Sequence, residues 1–254
     1  MPNNVILTAE HISHTYPVKG GMLSAVEDVS LELTRESFVC LIGPSGCGKS
    51  TLLRILSGLL RPRAGRVQLE DQPITRPQRR LGLVFQQANL MPWRTVRGNL
   101  ALPLQLAGMP ARQVRARTDA MLELIGLQSF AGTYPSALSG GMAQRVAIGR
   151  ALIHDPEVLL LDEPFGSLDA LTRERMSEEL LRLWNERRKT VLMVTHSIPE
   201  AVLLADRVIV FSPRPGRLVG DVAVPLPRPR SLQLLRDPNF LALTEQLRQA
   251  IRLD

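Results

Sequence analysis

The stretch GPSGCGKST, from Gly43 to Thr51, restricts the possible folds of this chain more than any other part of its sequence. It follows the apolar run Phe38–Ile42, and a helical pattern begins at Lys49. A strand, a glycine-rich loop, a Lys-Ser pair and a helix predict a loop that surrounds phosphate with backbone N–H groups at a helix N-terminus. A glycine-rich turn that merely leads into a helix is the alternative, and the presence of all four features in order argues against it.

The residue types in this loop suit the phosphates and the metal ion of a nucleotide. Gly43, Gly46 and Gly48 let the backbone turn its amides inward. The Lys49 ammonium would lie against the β- and γ-phosphates, and the Ser50 hydroxyl would contact Mg²⁺. The predicted nucleotide-binding loop consists of Gly43, Pro44, Ser45, Gly46, Cys47, Gly48, Lys49, Ser50 and Thr51.

Apolar runs rich in β-forming residues alternate with helical patterns along much of the chain. Most of these runs are nearly continuous in hydrophobicity, as expected for strands covered on both faces. The alternation predicts an α/β core with parallel strands. The predicted strands are Val5–Ile12, Phe38–Ile42, Leu81–Phe85, Val158–Leu161, Val191–Val194 and Val208–Phe211, and the predicted core helices are Lys49–Leu59, Ala170–Arg188 and Ile198–Ala205.

The middle of the chain has a different pattern, in which three helical stretches occur without a convincing strand. The simplest arrangement is a helical subdomain inserted into a nucleotide-binding core. After Ser212, Pro and Gly interrupt the chain, and a last helix is predicted over Phe240–Arg252. The predicted units are a core of residues 1–89 and 156–212, a helical subdomain of residues 90–155, and a C-terminal β and helix extension of residues 213–254.

Composition argues against a membrane-spanning chain and leaves the partners open. The formal charge is +7, but only three of the 31 basic residues are lysines, so a coding bias toward arginine is the simplest explanation. No apolar run approaches the ~18 residues that cross a bilayer, and the N-terminus lacks a secretory signal pattern. We expect a cytoplasmic protein in which Cys40 and Cys47 are small buried residues rather than a disulfide or a metal site.

Two carboxylates follow another apolar run, in EVLLLDEP. Val158–Leu161 predicts a buried strand that ends at Asp162 and Glu163, and parallel sheets bind ligands at the carboxyl ends of their strands. Asp162 would lie on the Mg²⁺ side, through water, and Glu163 would orient or deprotonate the attacking water. An acidic pair at a strand end is often merely solvated, and the phosphate loop favours the functional interpretation.

Two more polar residues end predicted strands. His196 follows TVLMVT, and Ser197 and Glu200 after it are predicted to form a capping box for the next helix. Capping does not explain the imidazole, so we predict a hydrogen bond from His196 to the γ-phosphate. Gln86, after the strand LGLVF, is predicted to reach Mg²⁺ or the attacking water through its amide.

A second glycine motif, LSGGMAQR, precedes a helical pattern near the middle of the chain. The hydroxyl of Ser139, the amides of Gly140 and Gly141 and the helix N-terminus would together bind an anion. A single nucleotide-binding domain with its own phosphate loop has no evident use for this second group of donors.

The chain resembles the ATPase subunit of ATP-binding cassette (ABC) transporters along nearly its whole length. The resemblance rests on the phosphate loop, Gln86 in VFQQ, LSGGM, LLLDEP, GSLD ending in Asp169, and His196, all in the family's order. It implies a P-loop NTPase (RecA-like) α/β core with an antiparallel β subdomain and an inserted α-helical subdomain. It also implies ATP and Mg²⁺ as ligands, and adenine stacking on Tyr16, which we place in a turn.

The resemblance implies a use for the second glycine motif. In such ATPases two copies pack head to tail, so that Ser139, Gly140 and Gly141 of one copy hold the γ-phosphate lying on Lys49 of the other. Asp169 would sit across that interface. ATP would then join the two copies, and hydrolysis would remove the shared phosphate.

Four segments, LMPWRTV, LSGGMAQRVAIGRAL, FSPRPGRLV and LPRPR, are similar to the nitrate, sulfonate and taurine group of bacterial importers. The resemblance implies a peripheral ATPase on the cytoplasmic face of the inner membrane, two integral-membrane permease subunits, and a periplasmic or lipid-anchored substrate-binding protein. Leu90, Met91 and Trp93 would receive a permease helix, although burial beneath the helical subdomain explains them equally well. Nitrate, sulfonates, taurine, bicarbonate and a vitamin precursor all stay open as substrates.

The main alternative is an ABC ATPase that repairs or remodels nucleic acid. Such relatives usually have a very long coiled coil between the phosphate loop and LSGG, whereas Lys49 and Ser139 are close in this sequence and sustained heptads are missing. A translation-factor relative would carry two cassettes in one chain, and a small-molecule kinase would not explain LSGGM. We therefore expect no nucleic-acid partner.

Overall fold

The computed structural model describes residues 4–252, which form two sheets and a group of helices. The strands are β1 (Val5–Val18), β2 (Gly21–Thr34), β3 (Phe38–Ile42), β4 (Ala64–Leu69), β5 (Gln72–Pro73), β6 (Leu81–Val84), β7 (Val158–Asp162), β8 (Thr190–Val194), β9 (Arg207–Phe211) and β10 (Leu218–Ala223). The α-helices are α1 (Lys49–Leu56), α2 (Val96–Leu106), α3 (Ala111–Leu124), α4 (Gly140–Leu152), α5 (Ala170–Arg187), α6 (Ile198–Leu204) and α7 (Pro238–Arg252). Short 3₁₀ helices cover Gln128–Phe130, Pro135–Ala137 and Leu232–Arg236.

A six-stranded sheet in the order β10-β9-β3-β8-β7-β6 forms the centre of the molecule. Its strands are parallel except for β10, which pairs antiparallel with β9 at one edge. Every residue of β3, β7 and β8 is buried, as predicted from their continuous apolar runs. The predicted α/β core is confirmed, and the carboxyl ends of its parallel strands meet at one edge.

A second, antiparallel sheet in the order β2-β1-β4-β5 packs over one face of the central sheet. The expected antiparallel β subdomain is therefore present, although the apolar runs alone did not reveal β2, β4 or β5. Tyr16 was expected in a turn, and this was wrong, because β1 continues to Val18. Tyr16 pairs with Leu23 of β2 in that continued ladder, and the chain turns only at Lys19 and Gly20.

Residues 90–155, all of which are described, form helices and no strand. The helices α2, α3 and α4 share their own cluster of buried side chains, which includes Leu100, Met121 and Val146. The boundaries of the three predicted units stay a prediction.

The first core helix is shorter than predicted. α1 ends at Leu56 rather than Leu59, since Gly58 adopts a φ of 76° and turns the chain into the left-handed region. A side chain at Gly58 would come within 2.5 Å of the Arg76 backbone, so the turn requires glycine. Among residues 4–252, no helix combines the length and the apolar composition needed to span a bilayer.

Candidate functional site

The phosphate loop lies between the end of β3 and the start of α1, as predicted. Lys49 is buried, with only 4% of its surface exposed, and its Nζ donates hydrogen bonds to the carbonyl oxygens of Gly43 and Pro44, both at 2.8 Å. Gly48 has a φ of 109°, and a side chain there would come within 2.3 Å of the Ala25 carbonyl oxygen. The loop therefore closes tightly around a buried ammonium group at a helix N-terminus.

Asp162 ends β7 and meets the first turn of α1. The Ser50 hydroxyl donates to Asp162 Oδ1 at 2.8 Å. Burial raises the pKa of the Asp162 carboxyl, and the hydrogen bond from Ser50 opposes that effect. A hydroxyl and a partly desolvated carboxylate thus stand together beside the phosphate loop.

Glu163 lies between two polar side chains from neighbouring strand ends. Its Oε2 lies 3.4 Å from Gln86 Nε2, which donates to it, and 3.3 Å from His196 Nδ1. Gln86 follows β6 and His196 follows β8, the strands on either side of β7. The sheet order therefore brings the three residues together, although they lie in three distant parts of the sequence.

Glu163 itself adopts a left-handed backbone conformation, with a φ of 44°. Such a conformation is uncommon for a residue other than glycine. The Glu163 N–H donates to the Val194 carbonyl oxygen at 3.0 Å, which fixes the backbone immediately after β7.

A cavity of about 220 Å³ opens over the phosphate loop. Lys49, Ser50 and Thr51 line it from α1, Tyr16 lines it from β1, and Glu163 lines it from the end of β7. The Tyr16 hydroxyl lies 3.4 Å from Thr51 Oγ1, which links the tip of the antiparallel sheet to the loop.

The second glycine motif does not line this cavity. Ser139 is exposed and caps α4, where its Oγ accepts a hydrogen bond from Met142 N at 3.3 Å. Asp169 caps α5 and accepts from Thr172 N at 3.0 Å, and this hydrogen bonding lowers the pKa of Asp169. A side chain at Gly140 would come within 3.2 Å of Leu168, so the two capped helix starts lie side by side in one chain.

The predicted capping box is only half present. Ser197 Oγ accepts from Glu200 N at 3.4 Å, as expected for the cap of α6. The Glu200 side chain does not return to the Ser197 amide, which instead donates to Thr195 Oγ1 at 3.0 Å. Glu200 is buried and accepts a hydrogen bond from the Thr195 hydroxyl.

The apolar loop before α2 is divided between interior and surface. Asn99, fully buried in α2, accepts from Met91 N at 2.7 Å and donates to three carbonyl oxygens of the loop. Leu90 packs against the core, Met91 is half-buried, and Trp93 is 72% exposed. A cavity of about 710 Å³ lies next to this loop, between α2 and α3, with Ala101, Met109 and Val114 in its wall.

Sequence reasoning missed Arg214, which lies in the loop after β9. Its guanidinium donates to the Gly46 carbonyl oxygen and also lines the cavity over the phosphate loop. The only signal in the sequence was the similarity of FSPRPGRLV to importer ATPases, and that similarity does not say which part of the molecule the arginine contacts.

The chain is similar to known proteins over most of its length. The family model described as ABC transporter matches residues 26–166. The chain is 46% identical over 250 residues to the nitrate import ATP-binding protein NrtD of Synechococcus elongatus, covering 96% of this chain and 91% of that protein. It is 42% identical to the taurine import ATP-binding protein TauB of Rhizobium johnstonii, covering 96% and 95%.

A solved structure has the same fold. A dimeric, post-hydrolysis state of the ATP-binding cassette MJ0796 bound to ADP and Pi superimposes with a TM-score of 0.77 at 34% identity, covering 86% of this chain and 99% of that one. The two proteins therefore share one overall architecture over most of this chain. On this evidence the chain belongs to the ABC transporter family.

Proposed function

We propose that this chain is the ATP-binding and ATP-hydrolysing subunit of a bacterial-type ABC importer, which energises the uptake of a small solute through separate membrane subunits. The observation that carries the proposal is the convergence of the phosphate loop with Asp162, Glu163, Gln86 and His196 at one sheet edge. The importers of nitrate and taurine whose ATP-binding proteins resemble this chain support an anionic or zwitterionic solute. The solute itself would contact the other subunits.

The donor set beside the phosphate loop fits Mg²⁺. Ser50 and Asp162 offer a hydroxyl and a carboxylate oxygen to a hard cation, and Gln86 adds an amide oxygen nearby. Among residues 4–252, no cluster of three or more His, Cys, Asp or Glu side chains is arranged to hold a metal by itself. That agrees with Mg²⁺, which proteins bind through one or two carboxylates together with substrate phosphates. Bound there, the ion would neutralise charge that develops on the phosphates.

The phosphate loop, Glu163 and the two side chains beside Glu163 would carry out the remaining chemistry. Lys49 and the amides of the loop would hold the β- and γ-phosphates in place. Glu163 would accept a proton from the attacking water or orient it, with its carboxylate fixed by Gln86 and His196. His196, with 46% of its side chain exposed, would also donate to the γ-phosphate.

We infer that the complete site needs two copies of the chain. Ser139 and Gly140 are exposed at the start of α4 and do not line the cavity of their own chain. A serine hydroxyl and backbone amides at a helix N-terminus suit a phosphate from another copy. The dimeric state of the related cassette supports this arrangement. Leu168, which precedes Asp169, lies next to Gly140, so LSGG and the GSLD segment would face the partner copy together.

Tyr16 would complete the nucleotide site at the adenine end. It lies on the antiparallel sheet at the edge of the cavity and is linked to Thr51. A partly exposed tyrosine ring offers a flat apolar face on which a base can stack.

Two integral-membrane permease subunits would dock on the helical subdomain, which places the chain on the cytoplasmic face of the membrane. The exposed Trp93 and the cavity between α2 and α3, whose wall is partly apolar and partly polar, offer a surface next to the loop that leads away from Gln86. A permease helix bound there could transmit movement to the nucleotide site, because Asn99 of α2 is hydrogen-bonded to Met91 in the loop that follows Gln86. A substrate-binding protein would deliver solute from the far side of the membrane, and no observation favours a nucleic-acid partner.

The proposal is tested by co-purification and coupling. The chain would be expressed with the permease and binding-protein genes that neighbour its own gene, and the complex would be reconstituted in vesicles. ATP hydrolysis should rise when the loaded binding protein is present, and Trp93→Ala should reduce recovery of the complex while leaving ATP binding unchanged. A chain that hydrolyses ATP but never co-purifies with a membrane subunit would contradict the importer assignment.

A further inference from the structure

We propose that Arg214 is part of the nucleotide site, where it fixes the phosphate loop through Gly46 and contacts a phosphate of the bound nucleotide. This inference rests on the proposed function, since it assumes that the cavity over the loop holds a nucleotide. Arg214 lies outside the phosphate loop, the acidic strand end and the second glycine motif.

The loop that contains Arg214 packs tightly against the phosphate loop. It starts at Ser212, after β9, and runs to Gly216, where an added side chain would come within 2.2 Å of the Cys47 carbonyl oxygen. The Gly216 N–H donates to the Ala25 carbonyl oxygen at 3.0 Å, and the Gly216 carbonyl oxygen accepts from Glu27 N at 3.0 Å. The loop is therefore fixed between the phosphate loop on one side and β2 on the other.

The Arg214 guanidinium makes two hydrogen bonds to one backbone oxygen. Its Nε and Nη2 lie 2.9 and 2.6 Å from the Gly46 carbonyl oxygen. Gly46 adopts a φ of 75°, and an added side chain there would come within 2.9 Å of Arg214 Nη2. A fixed carbonyl orientation at Gly46 also fixes the peptide plane that follows it, and thereby a backbone N–H of the loop.

Some N–H groups of the Arg214 guanidinium have no protein acceptor among the described residues. It carries five N–H groups, and Gly46 is the only acceptor that they reach within the described part of the chain. None of the acidic side chains among residues 4–252 forms an ion pair with Arg214, whereas the neighbouring Arg217 pairs with Glu27 at 2.8 Å. An unpaired cation therefore stands at the wall of the cavity that also contains Lys49.

These features favour a phosphate as the ligand of Arg214. The guanidinium is planar and permanently charged, and it forms strong hydrogen bonds to phosphate oxygens while its other N–H groups stay on the protein. Gly46 would anchor one edge of the group, and the nucleotide would take the other edge. The arginine would then couple phosphate binding to the loop between β9 and β10.

The test is the affinity of the full chain for Mg·ADP, measured by isothermal titration calorimetry at low salt. Arg214→Ala should raise the Kd about tenfold, the usual scale for losing a charge-assisted hydrogen bond. Arg214→Gln, which can still donate to Gly46 but carries no charge, should be almost as weak, and Arg214→Lys should regain part of the affinity. Arg217→Ala, which changes another arginine between β9 and β10, should stay within about twofold of the Kd of the unmodified chain. Thermal melts of every variant show whether the fold is intact.

Three results would overturn the inference. Arg214→Ala with the affinity of Arg217→Ala would remove the residue from the site. Arg214→Gln with unchanged affinity would reduce Arg214 to an anchor for Gly46, and Arg214→Lys no better than Arg214→Gln would exclude the contribution of charge. Lys49→Ala separates this failure from that of the proposed function: if it weakens binding while the Arg214 variants do not, only the inference fails. An unmodified chain that binds no Mg·ADP would overturn both.

Discussion

The Ser50 hydroxyl donates a hydrogen bond to Asp162 Oδ1 over 2.8 Å, although the two residues are 112 positions apart in the sequence. The contact joins the first turn of α1 to the last residue of β7. It places a hydroxyl and a carboxylate, the predicted magnesium ligands, at one point beside the phosphate loop. The next residue, Glu163, thereby stands at the mouth of the cavity over that loop.

Glu163→Gln should lower ATP hydrolysis by roughly 10²–10⁴-fold, the scale of a lost general base. ATP binding should survive, because the phosphate loop and Asp162 are unchanged. Steady-state turnover and a separate nucleotide titration distinguish the two effects. Glu186→Gln, which removes an exposed carboxylate paired with Arg182 on α5, is the control and should keep normal turnover. Near-normal turnover in Glu163→Gln would remove this residue from the chemistry.

Lys49→Ala should weaken ATP binding by about tenfold or more, because it removes a buried ammonium from the phosphate loop. The measurement is a nucleotide titration of the purified chain, with a thermal melt to confirm that the protein folds. Lys19→Ala is the matched control, since Lys19 is an exposed lysine in the turn between β1 and β2. Equal ATP affinity in both variants would contradict the assigned role of the loop.

Ser139→Arg should leave ATP binding to a single chain unchanged and abolish hydrolysis, because its bulk and charge would fill the phosphate contact offered to a partner. A mixture of Ser139→Arg chains with Lys49→Ala chains should regain part of the lost hydrolysis, since a mixed dimer has one intact pair of Lys49 and Ser139. Ser129→Arg, at another exposed serine of the helical subdomain, should behave as the unmodified chain does. A mixture as inactive as its components would argue against a site shared between copies.

Glu200→Gln should make the stability of the fold less sensitive to a rise in pH above 4.5. Burial raises the pKa of the Glu200 carboxyl, and its Oε1 has no hydrogen-bond partner among the described residues. A carboxyl with a raised pKa in the folded state carries no penalty below its ordinary value of 4.5, and the full penalty above the raised value. The melting temperature of Glu200→Gln relative to the unmodified chain should therefore rise as the pH increases above 4.5.

The control for this pH experiment is Glu174→Gln, which changes an exposed carboxylate on α5. The melting-temperature difference between Glu200→Gln and the unmodified chain should rise with pH by more than the corresponding difference for Glu174→Gln. If the melting-temperature difference between Glu200→Gln and the unmodified chain did not change with pH, Glu200 would not have a raised pKa.

The parts of the fold that sequence reasoning predicted are those whose signal is local. β3, β7 and β8 are buried on both faces, so each is a continuous apolar run that can be recognised without knowing its neighbours. The second half of β2 alternates buried and exposed residues, whereas β10 alternates half-buried and exposed residues, and both strands contain charged residues and glycine. These strands gain their stability from pairing partners, which a single segment does not reveal.

In the candidate site, too, the residues with a local sequence signal were predicted, and a residue that depends on distant contacts was missed. The phosphate loop and the carboxylates of β7 were predicted because each motif carries its chemistry in consecutive residues. Arg214 was missed because its partner, Gly46, lies 168 positions away and is reached only because β9 pairs with β3 in the sheet. The second half of the capping box was wrong because the Glu200 side chain accepts a hydrogen bond from the nearby Thr195 hydroxyl instead of returning to the Ser197 amide.

The most direct test of the central claim, that nucleotide is bound between two copies, is the mass in solution of Glu163→Gln saturated with Mg·ATP. Light scattering should show a species of twice 28.1 kDa, which returns to the single chain when ADP replaces ATP or when Ser139→Arg is added to the same chain. A Glu163→Gln chain that binds ATP to saturation and stays at 28.1 kDa at every protein concentration would contradict the account.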